Sequence, residues 1–129
     1  MYEKLLKLLN NSYSPYSKFR VSAIVVMKDG TEFSGVNVEN ASYGASICAE
    51  RSAIVSAISA GYKKDDFHSL YVMCGDSNTI STCCFLCRQV ICEFFKDDCN
   101  IVCFDKFGNS EIFAVKELCT HPFNEGDLK

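Results

Sequence analysis

Three cysteines and a glutamate stand where packing alone asks for neither a thiol nor a carboxylate. Cys48 opens the segment "CAERSAI", Glu50 follows two residues later, and Cys84 and Cys87 form a C-x2-C pair in "TCCFLCRQV". Both segments read as the place where a loop becomes a helix, so Cys84 and Cys87 fall one turn apart on one side. The N-terminal end of a helix favours the thiolate, which is the form that binds metal. Two helix starts carrying Cys48, Cys84 and Cys87 supply three ligands to one zinc ion and leave a fourth tetrahedral position open, as in a catalytic zinc site. A carboxylate beside a metal-activated water can take its proton and deliver it to a substrate, which is the role the spacing offers to Glu50.

Each of these residues also has a plainer reading. The chain has nine cysteines in 129 residues, a density at which roughly 0.6 C-x2-C pairs arise by chance. Cys83 competes with Cys84 for the ligand position. A structural zinc held by Cys84, Cys87, Cys99 and Cys103 is a rival, but Cys99 and Cys103 flank a probable strand, and four strand residues span about 13 Å. Glu50 alone could be a charge favoured at a helix N-terminus. Three thiolates around a zinc ion leave a net negative charge, which a neighbouring guanidinium would withdraw. Arg51 and Arg88 each adjoin a ligand in sequence, and either could also be an ordinary helix-surface arginine. Cys74, Cys92, Cys99, Cys103 and Cys119 read as small apolar packing residues.

Certain elements must position these groups. Leu5, Leu6, Leu8 and Leu9 have helical spacing. Val21–Met27 reads as a strand, "KDG" as a hairpin turn and Thr31–Val38 as its partner. Cys48–Ala60 reads as a helix closed by Gly61, Leu70–Cys74 as a buried strand, and Arg88–Phe95 as a helix with Val90, Ile91, Phe94 and Phe95 turned inward. Ile101–Phe104 and Glu111–Val115 read as strands whose connection is too short for a crossover helix, which makes them antiparallel. The order predicts a single α/β domain over residues 1–129, with a mixed five-stranded sheet covered by helices and a short polar tail.

Composition narrows the classes of function. Apolar residues make up 48% and charged residues 22%, which is globular, and a net charge of −3 offers nothing to a nucleic-acid backbone. No apolar run is long enough to span a membrane. The N-terminal "MYEKLLKLLNNSYS" has charges inside its apolar run and no small-residue cleavage site, unlike a signal peptide. The odd number of cysteines argues against a disulfide framework and for a reducing, cytosolic setting.

"CAE" followed by "CxxCRQ" resembles the signature of the zinc nucleoside deaminases. "SYSPYSKFRVSAIV", "GVNVENASYGASICAERSAI", "CRQVICEF" and "ELCTHPF" resemble, in order and spacing, the small homotetrameric cytidine deaminases. That resemblance covers nearly the whole chain. It implies a three-layer α-β-α fold, a zinc ion on Cys48, Cys84 and Cys87, and Glu50 as proton shuttle. It implies that Asn37 and Glu39 bind the ribose hydroxyls, that Phe19 lies against the pyrimidine, and that the backbone of Ala49 meets the base carbonyl. It also implies a homotetramer in which Ala41, Tyr43 and Phe123 are lent to a neighbour's site, with a nucleoside as substrate. The sequence departs from the family pattern at Cys83, where the family has Pro, at Phe85, where it has Gly, and at Thr120, which replaces a Pro upstream of Phe123. A deaminase of a cytosine-bearing antibiotic, a nucleic-acid base editor and a zinc-stabilised binding protein are the alternatives. The ribose-binding pair disfavours the first, and an acidic pI near 5.3 disfavours the second.

Overall fold

A computed structural model describes residues 1–128. Its strands are β1 (Val21–Met27), β2 (Glu32–Val36), β3 (Phe67–Cys74), β4 (Asn100–Phe104) and β5 (Ser110–Ala114). They form one five-stranded sheet in the order β2-β1-β3-β4-β5. β1 is antiparallel to β2 and β3, β3 is parallel to β4, and β4 is antiparallel to β5. The expected mixed sheet with an antiparallel final pair is therefore present. The parallel pair requires a crossover, and the helix between β3 and β4 supplies it.

Side chains alternate across β1 and so divide the core in two. Ile24 packs with Leu5, Leu9 and Met73 under helix α1 (Tyr2–Leu8), on one face. Ala23 and Val25 join the larger cluster on the other face, which takes in helices α2 (Ala49–Ser59) and α3 (Phe85–Phe94). From α2 the buried residues are Ala49, Glu50, Ala53, Ile54 and Ala57. Three of the five are alanines, small enough to bring the helix axis close to the sheet. The closest approach is at Gly35 of β2, where a Cβ would lie 2.5 Å from both the Ala49 carbonyl oxygen and the Ala53 nitrogen.

Several boundaries differ from the pattern-based expectation. β2 is shorter than the expected Thr31–Val38, and Val38 makes a separate bridge to Ile47. β3 begins at Phe67 rather than Leu70, because exposed His68 interrupts the apolar run while Ser69 is buried. α3 begins at Phe85 rather than Arg88, one turn earlier. Val115 ends no strand but opens a one-turn helix, α4 (Val115–Leu118), where the Glu117 carboxylate accepts the Ala114 amide at 2.9 Å. The polar tail carries a further 3-10 turn, Glu125–Leu128. Among the described residues no helix is long and apolar enough to cross a membrane.

Candidate active site

The early start of α3 makes the two helix entrances alike. Cys48 is the N-cap of α2 and Cys84 the N-cap of α3, both with extended backbone (φ −78°, ψ 156° and φ −66°, ψ 163°). Their carbonyls accept the first helical bonds, from Ser52 N at 3.0 Å and Arg88 N at 2.9 Å. Cys87 lies in the first turn of α3 and is buried. Sγ of Cys48 is 3.7 Å from Sγ of Cys84, which is 3.4 Å from Sγ of Cys87. All three sulfurs lie within 4.8 Å of one another. Thiolates on a tetrahedral zinc with Zn–S bonds of about 2.3 Å are about 3.8 Å apart, so the donor set fits this ion in size, number and softness.

Electrostatics favours ionisation at Cys48. The thiol hydrogen bond from Cys87, then the Arg51 guanidinium and Cys84, lower its pKa to about 5 against the opposing effect of burial. Cys87, which donates its proton to Cys48, is raised. Arg51 Nη2 stands 3.7 Å from the Cys48 sulfur. Cys83, the competing thiol, is 3% exposed and belongs to the core cluster, outside the three-sulfur group. Cys99 and Cys103 also lie outside that group: the Cys99 sulfur meets the Phe67 carbonyl, and Cys103 is fully buried.

Glu50 occupies the second position of α2 and is 4% exposed. Burial, followed by the nearby Cys48 charge, raises its carboxyl pKa above the ordinary range despite hydrogen bonds from its own amide, Cys83 and Cys87. It faces a cavity of about 390 Å³ whose wall also includes Phe19, Asn37, Glu39, Cys48, Ala49 and Cys84. The chamber wall therefore combines Cys48 and Cys84, two thiols of the group that could hold a zinc ion, with a buried carboxyl whose pKa is raised.

The sequence profile described as "Cytidine and deoxycytidylate deaminase zinc-binding region" matches residues 1–103. The chain belongs to this deaminase family. It is 32% identical to the cytidine deaminase of Mycoplasma genitalium over 95% of this chain and 92% of the relative. It is 37% identical to that of Mycoplasma pneumoniae over 92% and 87%. The crystal structure of the cytidine deaminase from Burkholderia pseudomallei superposes with a TM-score of 0.86 at 35% identity, covering 95% of this chain and 99% of that one.

In this family member, the two ribose-matched residues already serve the fold. Asn37 Nδ2 donates to the Phe19 carbonyl at 2.8 Å, and its Oδ1 accepts the Val21 amide at 2.9 Å and the Ser12 hydroxyl. Glu39 Oε1 accepts the amides of Tyr16 (3.0 Å) and Ser17 (3.1 Å), and Oε2 accepts the Ser17 hydroxyl. The Ser17 hydroxyl and amide hold the Glu39 carboxyl below its ordinary pKa. Together these bonds fix the loop that carries Phe19. Each side chain keeps capacity for one more partner: a second N–H on Asn37 and a free lone pair on Glu39.

Ala41, Tyr43 and Phe123 do not reach this chain's own cavity. Tyr43 is 77% exposed and edge-on to Tyr16, and Phe123 is 56% exposed beside Gln89, midway along α3. Sequence reasoning missed Ser17, Val21, Ser46, Ile47, Val72, Cys74, Ser81 and Thr82 in the cavity wall. Ser81 and Thr82 could have been found from their place just before the ligand pair, whereas Val72 and Cys74 are visible only once β3 is known to end beneath Glu50. The Arg88 side chain bonds to main-chain and hydroxyl oxygens, not to the thiols.

Proposed function

We propose that the chain catalyses the hydrolytic deamination of cytidine and 2′-deoxycytidine to uridine and 2′-deoxyuridine, with release of ammonia. The observation that carries this reading is the buried Glu50 carboxyl lining the same cavity as Cys48 and Cys84, two thiols of the Cys48–Cys84–Cys87 group. Zinc, when held by those thiols, supplies the Lewis acidity that makes a water molecule nucleophilic. Glu50 takes the water's first proton and passes it to ring N3 as oxygen adds to C4. It then carries the second proton to the exocyclic amino group, which leaves as ammonia while C4 becomes a carbonyl. Burial suits Glu50 to this work, because a carboxyl with a raised pKa holds a proton between the two deliveries.

Other residues hold the substrate. Phe19 supports the flat face of the pyrimidine, and the Ala49 backbone meets the base carbonyl. The spare N–H of Asn37 and the spare lone pair of Glu39 bind the ribose hydroxyls. The placement of Tyr43 and Phe123 outside their own cavity supports a homotetramer in which Ala41, Tyr43 and Phe123 complete a neighbour's site. Nine free thiols fit a reducing cytosol, and the reaction fits salvage of pyrimidine nucleosides.

Absorbance assays of Glu50→Gln test the chemistry. The variant keeps its shape but cannot accept a proton, so zinc stays bound and kcat falls by at least about 10²-fold. Near-normal turnover would reduce Glu50 to a helix-end charge. Turnover of free cytosine equal to that of cytidine would overturn the nucleoside assignment.

A further inference from the structure

Arg88, one residue beyond the ligand Cys87, joins two parts of the molecule that no regular element connects. Its Nε donates to the Cys83 carbonyl at 2.8 Å and its Nη2 to the Thr82 hydroxyl at 2.8 Å. Its Nη1 donates to the Leu118 carbonyl at 3.1 Å, and its guanidinium lies 4.5 Å from the centre of the Phe85 ring. Gln89, the next residue, donates to the Phe123 carbonyl at 2.8 Å, and the Cys119 thiol meets the Arg88 carbonyl at 3.4 Å.

The segment from Ile80 to Cys84 has no regular secondary structure, yet Ser81, Thr82 and Cys84 form part of the cavity wall. The Thr82 hydroxyl and the Cys83 carbonyl both accept from Arg88, while the Cys83 thiol turns inward toward Glu50 and Cys103. The direction of the Cys84 thiol depends on the backbone immediately before it, so whatever fixes Cys83 aims the ligand. A planar guanidinium can serve three acceptors in one plane at once. A lysine ammonium on a flexible stem cannot reproduce that fork.

We propose that Arg88 is a positioning residue that aims Cys84 at the metal by clamping the Thr82 hydroxyl and the Cys83 carbonyl, and that ties this wall of the cavity to the C-terminal segment bearing Phe123. This rests on the zinc-deaminase reading above and extends it to a residue that touches neither metal nor substrate.

The rate at which a chelator removes zinc from the purified holoprotein tests the clamp without any substrate, so a wrong nucleoside assignment leaves the outcome untouched. Arg88→Lys keeps the stem and charge and loses the fork; zinc should leave about 10-fold faster or more. Thr82→Val removes one acceptor and should give a smaller increase. Combined with Arg88→Lys it should add little, because both changes break the same bond. Gln89→Ala, which loosens only the C-terminal tie, should retain zinc as the unmutated protein does and raise KM while kcat holds. Zinc release from Arg88→Lys at the unmutated rate would overturn the proposal, and so would full additivity of the two substitutions.

Discussion

The choice between adjacent thiols is decided by one peptide unit. Cys84 has the extended backbone of an N-cap and its sulfur stands among the ligands, while Cys83 points into the core and is 3% exposed. Cys84→Ala should therefore lose zinc and activity together, since it removes one of three protein ligands. Cys83→Ala should retain the metal and cost only stability, as a small truncation in the core. Metal content of the two purified variants checks this, and loss of zinc from Cys83→Ala alone would reverse the assignment. Much of the site was legible from residue type and spacing: "CAE" and "CxxC" pointed to the three thiols that the structure clusters and to Glu50, which lines the cavity beside them. The C-x2-C spacing also favoured Cys84 over Cys83, and the three-sulfur group contains Cys84; the inward turn of Cys83 was not legible, because side-chain direction depends on backbone torsions that adjacent identical residues do not reveal. Arg88 was illegible for the same reason, since adjacency to a ligand in sequence says nothing about which way a long side chain turns.

Among the elements, α2 does the most to build the site, and its seat on β2 is unusually close. Gly35 has no Cβ, and an added methyl would meet the Ala49 carbonyl, the Ala53 nitrogen and, at 2.8 Å, the Ser52 Cβ. The Ser52 hydroxyl donates to the Val36 carbonyl at the same crossing, at 3.2 Å. Gly35→Ala should thus push out the helix headed by Cys48 and destabilise the protein by about 1–3 kcal/mol, measured by urea unfolding. A neutral result would mean that α2 can move away freely. Long elements with a steady apolar period, β1 and α2 among them, were readable from the sequence. α4 was not, because a single turn, Val115–Leu118, is too short to show a period. The early start of α3 was also hidden, because Phe85 and Leu86 are 79% and 67% exposed and break the apolar stripe.

In the whole molecule, the question is what completes the cavity. Phe123 and Tyr43 are exposed and do not line it, so the homotetramer proposal makes every site a composite and every loan reciprocal. Mixing the Glu50→Gln and Phe123→Ala chains, each impaired alone, should restore part of the activity after refolding together, since some sites then combine an intact Glu50 with a neighbour's intact Phe123. A fully active monomer by light scattering would defeat this and leave the zinc chemistry standing. The joined helix entrances have a consequence for folding as well. Cys48 and Cys84 are 36 residues apart, so an ion between them is a reversible cross-link, and the native state obeys mass action in the metal. With zinc buffered above its dissociation constant, each tenfold rise in free zinc should add about 1.4 kcal/mol to unfolding, provided the unfolded chain binds it weakly. Chemical denaturation at several buffered zinc levels would show this as a straight line whose slope counts the ions released per chain, and a slope of one would identify the fold itself as a zinc sensor.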